Sequence, residues 1–99
     1  MEQLNVEQFK SLVGDNFKIE FNKENTLKAE LTEVSHLGKK LDQEIEAFAL
    51  IFETDQTDQY FTQSIVRIHH DDLPPMDVFA SPKGLSHMSG KMMYEVIFN

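Results

Sequence analysis

Cysteine is absent from the 99 residues. Its absence excludes a disulfide framework, a thiolate nucleophile and a Cys-based zinc site. No apolar run approaches the roughly 20 residues that span a bilayer, so no membrane is expected among the partners. The opening Met1-Glu2-Gln3-Leu4 lacks the cationic and apolar regions of a signal peptide. The expected compartment is therefore the cytoplasm. Glycine is sparse and scattered, at Gly14, Gly38, Gly84 and Gly90, so neither a phosphate-cradling loop nor a dinucleotide fingerprint is present. Bases are also few: 9 Lys plus Arg stand against 17 Asp plus Glu, a formal charge of −8. A nucleic-acid backbone repels such a surface, and no nucleic-acid partner is expected.

What is present suffices for one folded domain spanning residues 1–99. Hydrophobic residues make up 40% of the chain, with 8 Phe. That is enough apolar material for a small core and argues against disorder.

Periodicity divides the chain. Val6, Phe9, Leu12 and Val13 recur at helical spacing and predict a short helix facing the core, with Asn5 as its cap, Gln8 completing a loose capping box and Gly14 as its left-handed stop. From Asn16 the period becomes two. Phe17, Ile19 and Phe21 alternate with Lys18, Glu20 and Asn22; after a turn at Lys23-Glu24-Asn25, Leu27, Ala29 and Leu31 do the same. These predict an antiparallel hairpin. Val34 falls out of phase, which predicts a bulge near Glu33. Ser35 to Gln43 reads as a loop. Residues 47–52 are apolar on both faces and predict a well-covered central strand; Thr54 to Gln59 reads as an exposed connection. Val66 and Ile68 share one face of a fourth strand, with Ile65, Arg67 and His69 on the other. Asp71 to Pro75 reads as a turn, because two prolines cannot both continue a ladder. Val78-Phe79-Ala80 starts a fifth strand ending at Pro82, Lys83 to Lys91 reads as a flexible loop, and a last strand places Met92, Tyr94, Val96 and Phe98 on one face. The fold class is mainly β (α+β): about six antiparallel strands curled into a small barrel or half-barrel, with one short N-terminal helix covering an end or face.

The residues that invite a chemical reading cluster late. His69-His70-Asp71-Asp72 resembles a ligand set, but adjacent strand residues point to opposite faces and no second pair completes a tetrahedral site. Asp71, Asp72 and Asp77 do not follow EF-hand spacing. No metal and no cofactor are expected. His70 and Asp77 flank the predicted turn, where a hairpin brings them together; a carboxylate holds an imidazole in one tautomer. The nucleophile of a triad is missing, since Ser64, Ser81, Ser86 and Ser89 sit in no nucleophile elbow. Among the methionines, Met92 is expected in the core and Met88, in a Gly-flanked loop, as an exposed contact.

The charge is unevenly placed. No base lies between Lys40 and Arg67, whereas Asp42, Glu44, Glu46, Glu53, Asp55 and Asp58 fall in that gap. The third strand and its flanks are expected to form an acidic edge, which either resists sheet-to-sheet pairing or steers a basic partner.

Gln63-Ser64-Ile65-Val66-Arg67-Ile68-His69-His70, followed by Leu73, Asp77-Val78-Phe79 and Pro82, resembles a block in a small bacterial β-rich domain family of unknown function. The closing Tyr94-Glu95-Val96-Ile97-Phe98-Asn99 resembles that family's ending. Leu31-Thr32-Glu33-Val34 and Phe48-Ala49-Leu50-Ile51-Phe52 are similar to its earlier strands. Val66 replaces an aromatic, and Pro74-Pro75 replaces a glycine-containing turn. The resemblance implies a compact β-rich domain, sometimes accompanying phage-tail or prophage-like genes, and hence a virion- or tail-associated alternative to the cytoplasm. It implies no catalytic role. Its matching polar positions, Gln63, Arg67, His70 and Asp77, are the candidate interaction or ligand-binding residues.

The expected function is that of a non-enzymatic protein-interaction or structural accessory module, with a protein partner or self-association. The alternative is a small-ligand or enzymatic domain built on His70, Asp77 and Arg67, which requires those side chains around one apolar-lined cavity. A mimic of nucleic acid would need acidic side chains in regular exposed rows, and six acids spread over two loops and a strand are too sparse.

Overall fold

The alternation of Phe17 and Ile19 with polar neighbours becomes β1 (Asn16–Asn22), with both apolar side chains turned fully inward. β1 pairs antiparallel with β2 (Asn25–Lys39) through a tight turn, where the Asn22 side chain accepts the Glu24 amide at 2.9 Å. The computed structural model describes residues 6–39 and 46–98. In it β3 (Glu46–Glu53), β4 (Ser64–His70), β5 (Leu73–Leu85) and β6 (Met92–Phe98) complete a closed antiparallel barrel in the order β1-β2-β3-β6-β5-β4. β4 lies beside β1, so the first four strands follow the 4-1-2-3 order of a Greek key. Closure of the barrel leaves no open sheet edge among these strands.

Parts of two stretches that read as loop and turn are strand instead, residues 35–39 and 73–75. Asp71-Asp72 is the turn expected, and residues 40–43 of the predicted loop lie outside the described residues. β2 continues through Ser35 to Lys39 because its backbone still pairs with β3, as far as Lys39 opposite Glu46. Two register shifts, after Leu31 and after His36, absorb the phase changes. The first is the bulge expected near Glu33; there the Thr32 hydroxyl donates to the Ile51 carbonyl at 3.2 Å. Pro74 and Pro75 lie inside β5. They are tolerated because the β4–β5 register shifts between Ile68 and His70, while β6 pairs with β5 only from Ala80 onward. The missing amides thus fall where the ladder is already broken or one-sided. β5 likewise runs past Pro82 to Leu85, with a bulge before Gly84.

The barrel is filled by side chains. Phe17, Ile19, Leu31, Leu50, Phe52, Val66, Ile68 and Val96 are buried in one core cluster. β3 is covered on both sides, as its apolar faces require: Ala49 and Ile51 are buried along with Phe48, Leu50 and Phe52. Met92 is in the core and Met88 is almost fully exposed.

Each end of the barrel is closed. At one end lies α1 (Val6–Lys10), which drives the fully buried Phe9 ring against Phe48 and Phe98 at centroid distances of 5.7 and 5.4 Å. Val13, expected on the core side, is exposed instead, because the helix stops at Lys10 and the chain turns. The expected cap, Asn5, lies outside the described residues. At the other end the connection between β3 and β4 packs inward. Thr54 is buried, so the Thr54–Gln59 segment is only partly the exposed connection its composition predicts, and beyond it Phe61 stacks on Phe21 at 4.3 Å.

Gly14 has φ +96°, a conformation costly for any residue with a Cβ, and its amide donates to the Leu31 carbonyl at 2.7 Å. A Cβ there would meet nothing within 4 Å. Gly14→Ala is therefore expected to cost about 1–2 kcal/mol through backbone strain alone, read as a lower urea midpoint. An unchanged midpoint would show that this turn relaxes freely.

Candidate functional site

Strand alternation sends Arg67 outward and Ile68 inward, and this decides where the candidate residues go. Arg67 and Asp77 are register partners on β4 and β5, and Arg67 Nε donates to Asp77 Oδ1 at 2.9 Å on the outer face. This hydrogen bond, with the attraction of the opposite charges, holds the Asp77 carboxyl below its ordinary pKa and raises that of Arg67. Gln63 is exposed just before β4.

His70 goes the other way. Its side chain is only 7% exposed and packs on Phe17 at 4.6 Å. Nδ1 accepts the Asp72 amide at 3.0 Å, which leaves the proton on Nε2, donated to Asp15 Oδ2 at 3.0 Å. The predicted His70–Asp77 pair is thus not formed. Across the hairpin the register sets Asp77 opposite Arg67, and His70 instead meets a carboxylate 55 residues earlier in the chain. Asp15 lies in the link between α1 and β1, at the barrel end where β4 finishes. Its only signal in the sequence was a carboxylate next to the Gly14 stop, which says nothing of a histidine so far away. His69 turns outward to Glu20 at 3.1 Å, so the two adjacent imidazoles face opposite sides of the wall.

Gln63, Arg67, His70 and Asp77 consequently do not surround one cavity. Among the described residues, no group of three or more His, Asp or Glu side chains is placed to hold a metal ion, and no buried side-chain nitrogen or oxygen lacks a partner.

The acidic stretch also resolves differently from its expectation. β3 is an interior strand of the closed barrel, between β2 and β6, so it is not an edge needing protection. Asp42, Glu44 and the side chain of Glu46 lie outside the described residues. Glu53 accepts the Ser89 hydroxyl at 2.9 Å, Asp55 pairs with Lys91 at 3.3 Å, and Asp58 is exposed. Glu53, Asp55 and Lys91 border a shallow depression with Lys28 and Glu30. Charges of both signs line it, and its walls are polar.

The surface feature that the strand pattern did not reveal is apolar. Ile65 and Phe79 are register partners on β4 and β5, and both face outward. Ala80 pairs with Val96, so one further step of the same register sets Phe79 beside Ile97 of β6. These three side chains are 65%, 50% and 48% exposed and form a row across three neighbouring strands. Period-two alternation carried the signal: each is an apolar residue at an outward position. The Arg67–Asp77 pair flanks the row on one side, and Lys83, 3.2 Å from Glu95, flanks it on the other.

No helix among the described residues is long and apolar enough to cross a membrane. No curated protein and no solved structure matches the chain significantly. Over residues 4–98 it matches the family model described as a domain of unknown function, DUF6916. The motif block from Gln63 to Pro82 and all but the last residue of the closing Tyr94 to Asn99, which resemble a small domain family of unknown function, fall within this match, and the match covers nearly the whole chain: the protein belongs to the DUF6916 family.

Proposed function

We propose that this domain is a non-enzymatic protein-interaction module that works through the outer face of β4, β5 and β6. The observation that carries the reading is the exposed Ile65–Phe79–Ile97 row. An apolar centre rimmed by charged pairs has the anatomy of a protein interface. The filled barrel supports the same reading, since its interior holds side chains rather than a ligand space. The family resemblance adds a setting, a structural accessory of a phage tail or prophage. The cytoplasm or the virion is then the place of action.

The alternative, a ligand or enzymatic site built on His70, Asp77 and Arg67, has less support. His70 is committed to Asp15 and Asp72 inside the wall, whereas Arg67 and Asp77 neutralise each other outside it.

Phe79→Glu tests the interaction reading. It replaces an exposed ring, so folding stability is expected to change by no more than about 0.5 kcal/mol. Proteins recovered stoichiometrically with the wild-type domain from its source cells should fall at least tenfold with the variant. Equal recovery by a folded variant would remove this face from the function.

A further inference from the structure

We infer that the β4–β5–β6 face is the contact surface of a homodimer, with a second copy of this chain as its occupant. The inference rests on the interaction reading and gives that face a partner.

Charge argues for a second copy. The whole chain carries −8, so two copies repel each other over most approaches. The three strands are the exception. From Ser64 to His70, Leu73 to Leu85 and Met92 to Phe98, the charged residues are Arg67, Lys83, Asp77 and Glu95, two of each sign. An acidic chain can meet itself there without a net electrostatic penalty, whereas a strongly basic or acidic partner would find no complementary field.

The positions of these charges are also self-complementary. Arg67 lies on β4 next to Asp77, on one side of the apolar row. Glu95 lies on β6, opposite Ser81, on the other side. They therefore stand at diagonal corners of the patch, with Phe79 between them. A two-fold axis lying in the contact plane, through Phe79 and across that diagonal, brings Arg67 of each copy onto Glu95 of the other. Phe79 then meets its own equivalent at the centre, as an isologous contact requires.

The area such a contact needs is a modest share of the chain's surface. A standard interface needs about 800 Å² from each partner, little more than a tenth of the 6723 Å² surface of this chain. The face offered comprises three of the six strands of the barrel.

Sedimentation equilibrium of the pure protein, from about 1 to 300 µM, tests the inference. The wild type is expected to shift from 11.5 kDa towards twice that mass as concentration rises. Phe79→Glu should stay monomeric. Arg67→Glu and Glu95→Arg should each weaken dimerisation at least tenfold by setting like charges together, and the combined variant should recover most of the loss. Thermal unfolding of each variant establishes that it is folded before its mass is interpreted. A wild type that stays at 11.5 kDa throughout overturns the dimer. So does a dimer untouched by Phe79→Glu, or a folded double variant no better than the singles. Because the measurement uses pure protein, a monomeric result overturns the dimer alone; whether Phe79→Glu loses partners in cell extracts decides the interaction reading separately.

Discussion

Phe9→Ala is expected to destabilise the domain by about 3–5 kcal/mol, the cost of emptying a fully buried aromatic site. Phe9 has no exposed surface, and α1 packs its ring against both Phe48 and Phe98. Those two rings stack on each other at 4.9 Å and come from neighbouring strands, so losing Phe9 opens the end of the barrel that they line. The helix has only five residues, too few to hold its shape without that anchor. A domain of this size has a total stability of about 5–15 kcal/mol, so the variant should lose a large share of it. Its melting temperature should fall by roughly 12 °C or more, at about 4–8 °C per kcal/mol. Phe79→Ala is the control, since that ring is half exposed. If both variants melt within a few degrees of the wild type, α1 is an appendage rather than a plug.

The second large effect is expected at the opposite end. Tyr94 lies almost wholly buried inside the barrel, and its hydroxyl donates to Gln56 Oε1 at 2.6 Å while accepting the Phe61 amide at 2.8 Å. These two bonds tie the β3–β4 connection over the barrel mouth. Tyr94→Phe keeps the ring and strands both partners, at an expected cost of about 1–3 kcal/mol. The same site gives a pH signature. Burial raises the Tyr94 phenol above its ordinary value of 10.0, an effect partly offset by the Phe61 amide. The native state then holds the proton at a pH where the unfolded chain has released it. The associated stability is complete below pH 10 and is lost as pH rises from the unfolded value through the raised native one. The wild-type denaturation midpoint should therefore fall more steeply than that of Tyr94→Phe above about pH 10, and the two curves should converge. Parallel curves would show that the phenol is not held in its neutral form by the fold.

Much of the barrel could be read from local pattern. The β1–β2 hairpin, the inward set of β6 and the bulge near Glu33 each follow from which residues alternate and where the alternation slips. The strand ends were harder. Residues 35–39 hold a single large apolar residue and end in Gly38-Lys39, and they become strand only because β3 offers them a backbone ladder. Pro74 and Pro75 resemble a turn until it is known that β6 does not pair with that part of β5. The apolar row illustrates the same limit from the other side. Ile65, Phe79 and Ile97 occupy outward positions that alternation allows, but nothing local singles them out, because their adjacency depends on the registers of two strand pairs.

The sequence by itself determined the approximate number of strands, most of their inward faces, the left-handed stop at Gly14 and the exclusion of cysteine chemistry. Each of these is encoded within a few residues, by side-chain period or by backbone sterics. The tertiary structure alone decided that Lys18 faces His69, that β1 closes on β4 and that His70 takes Asp15 rather than Asp77. Those pairings join residues some fifty positions apart. No local periodicity specifies them, because they exist only once the curl of the sheet brings its first strand against its fourth.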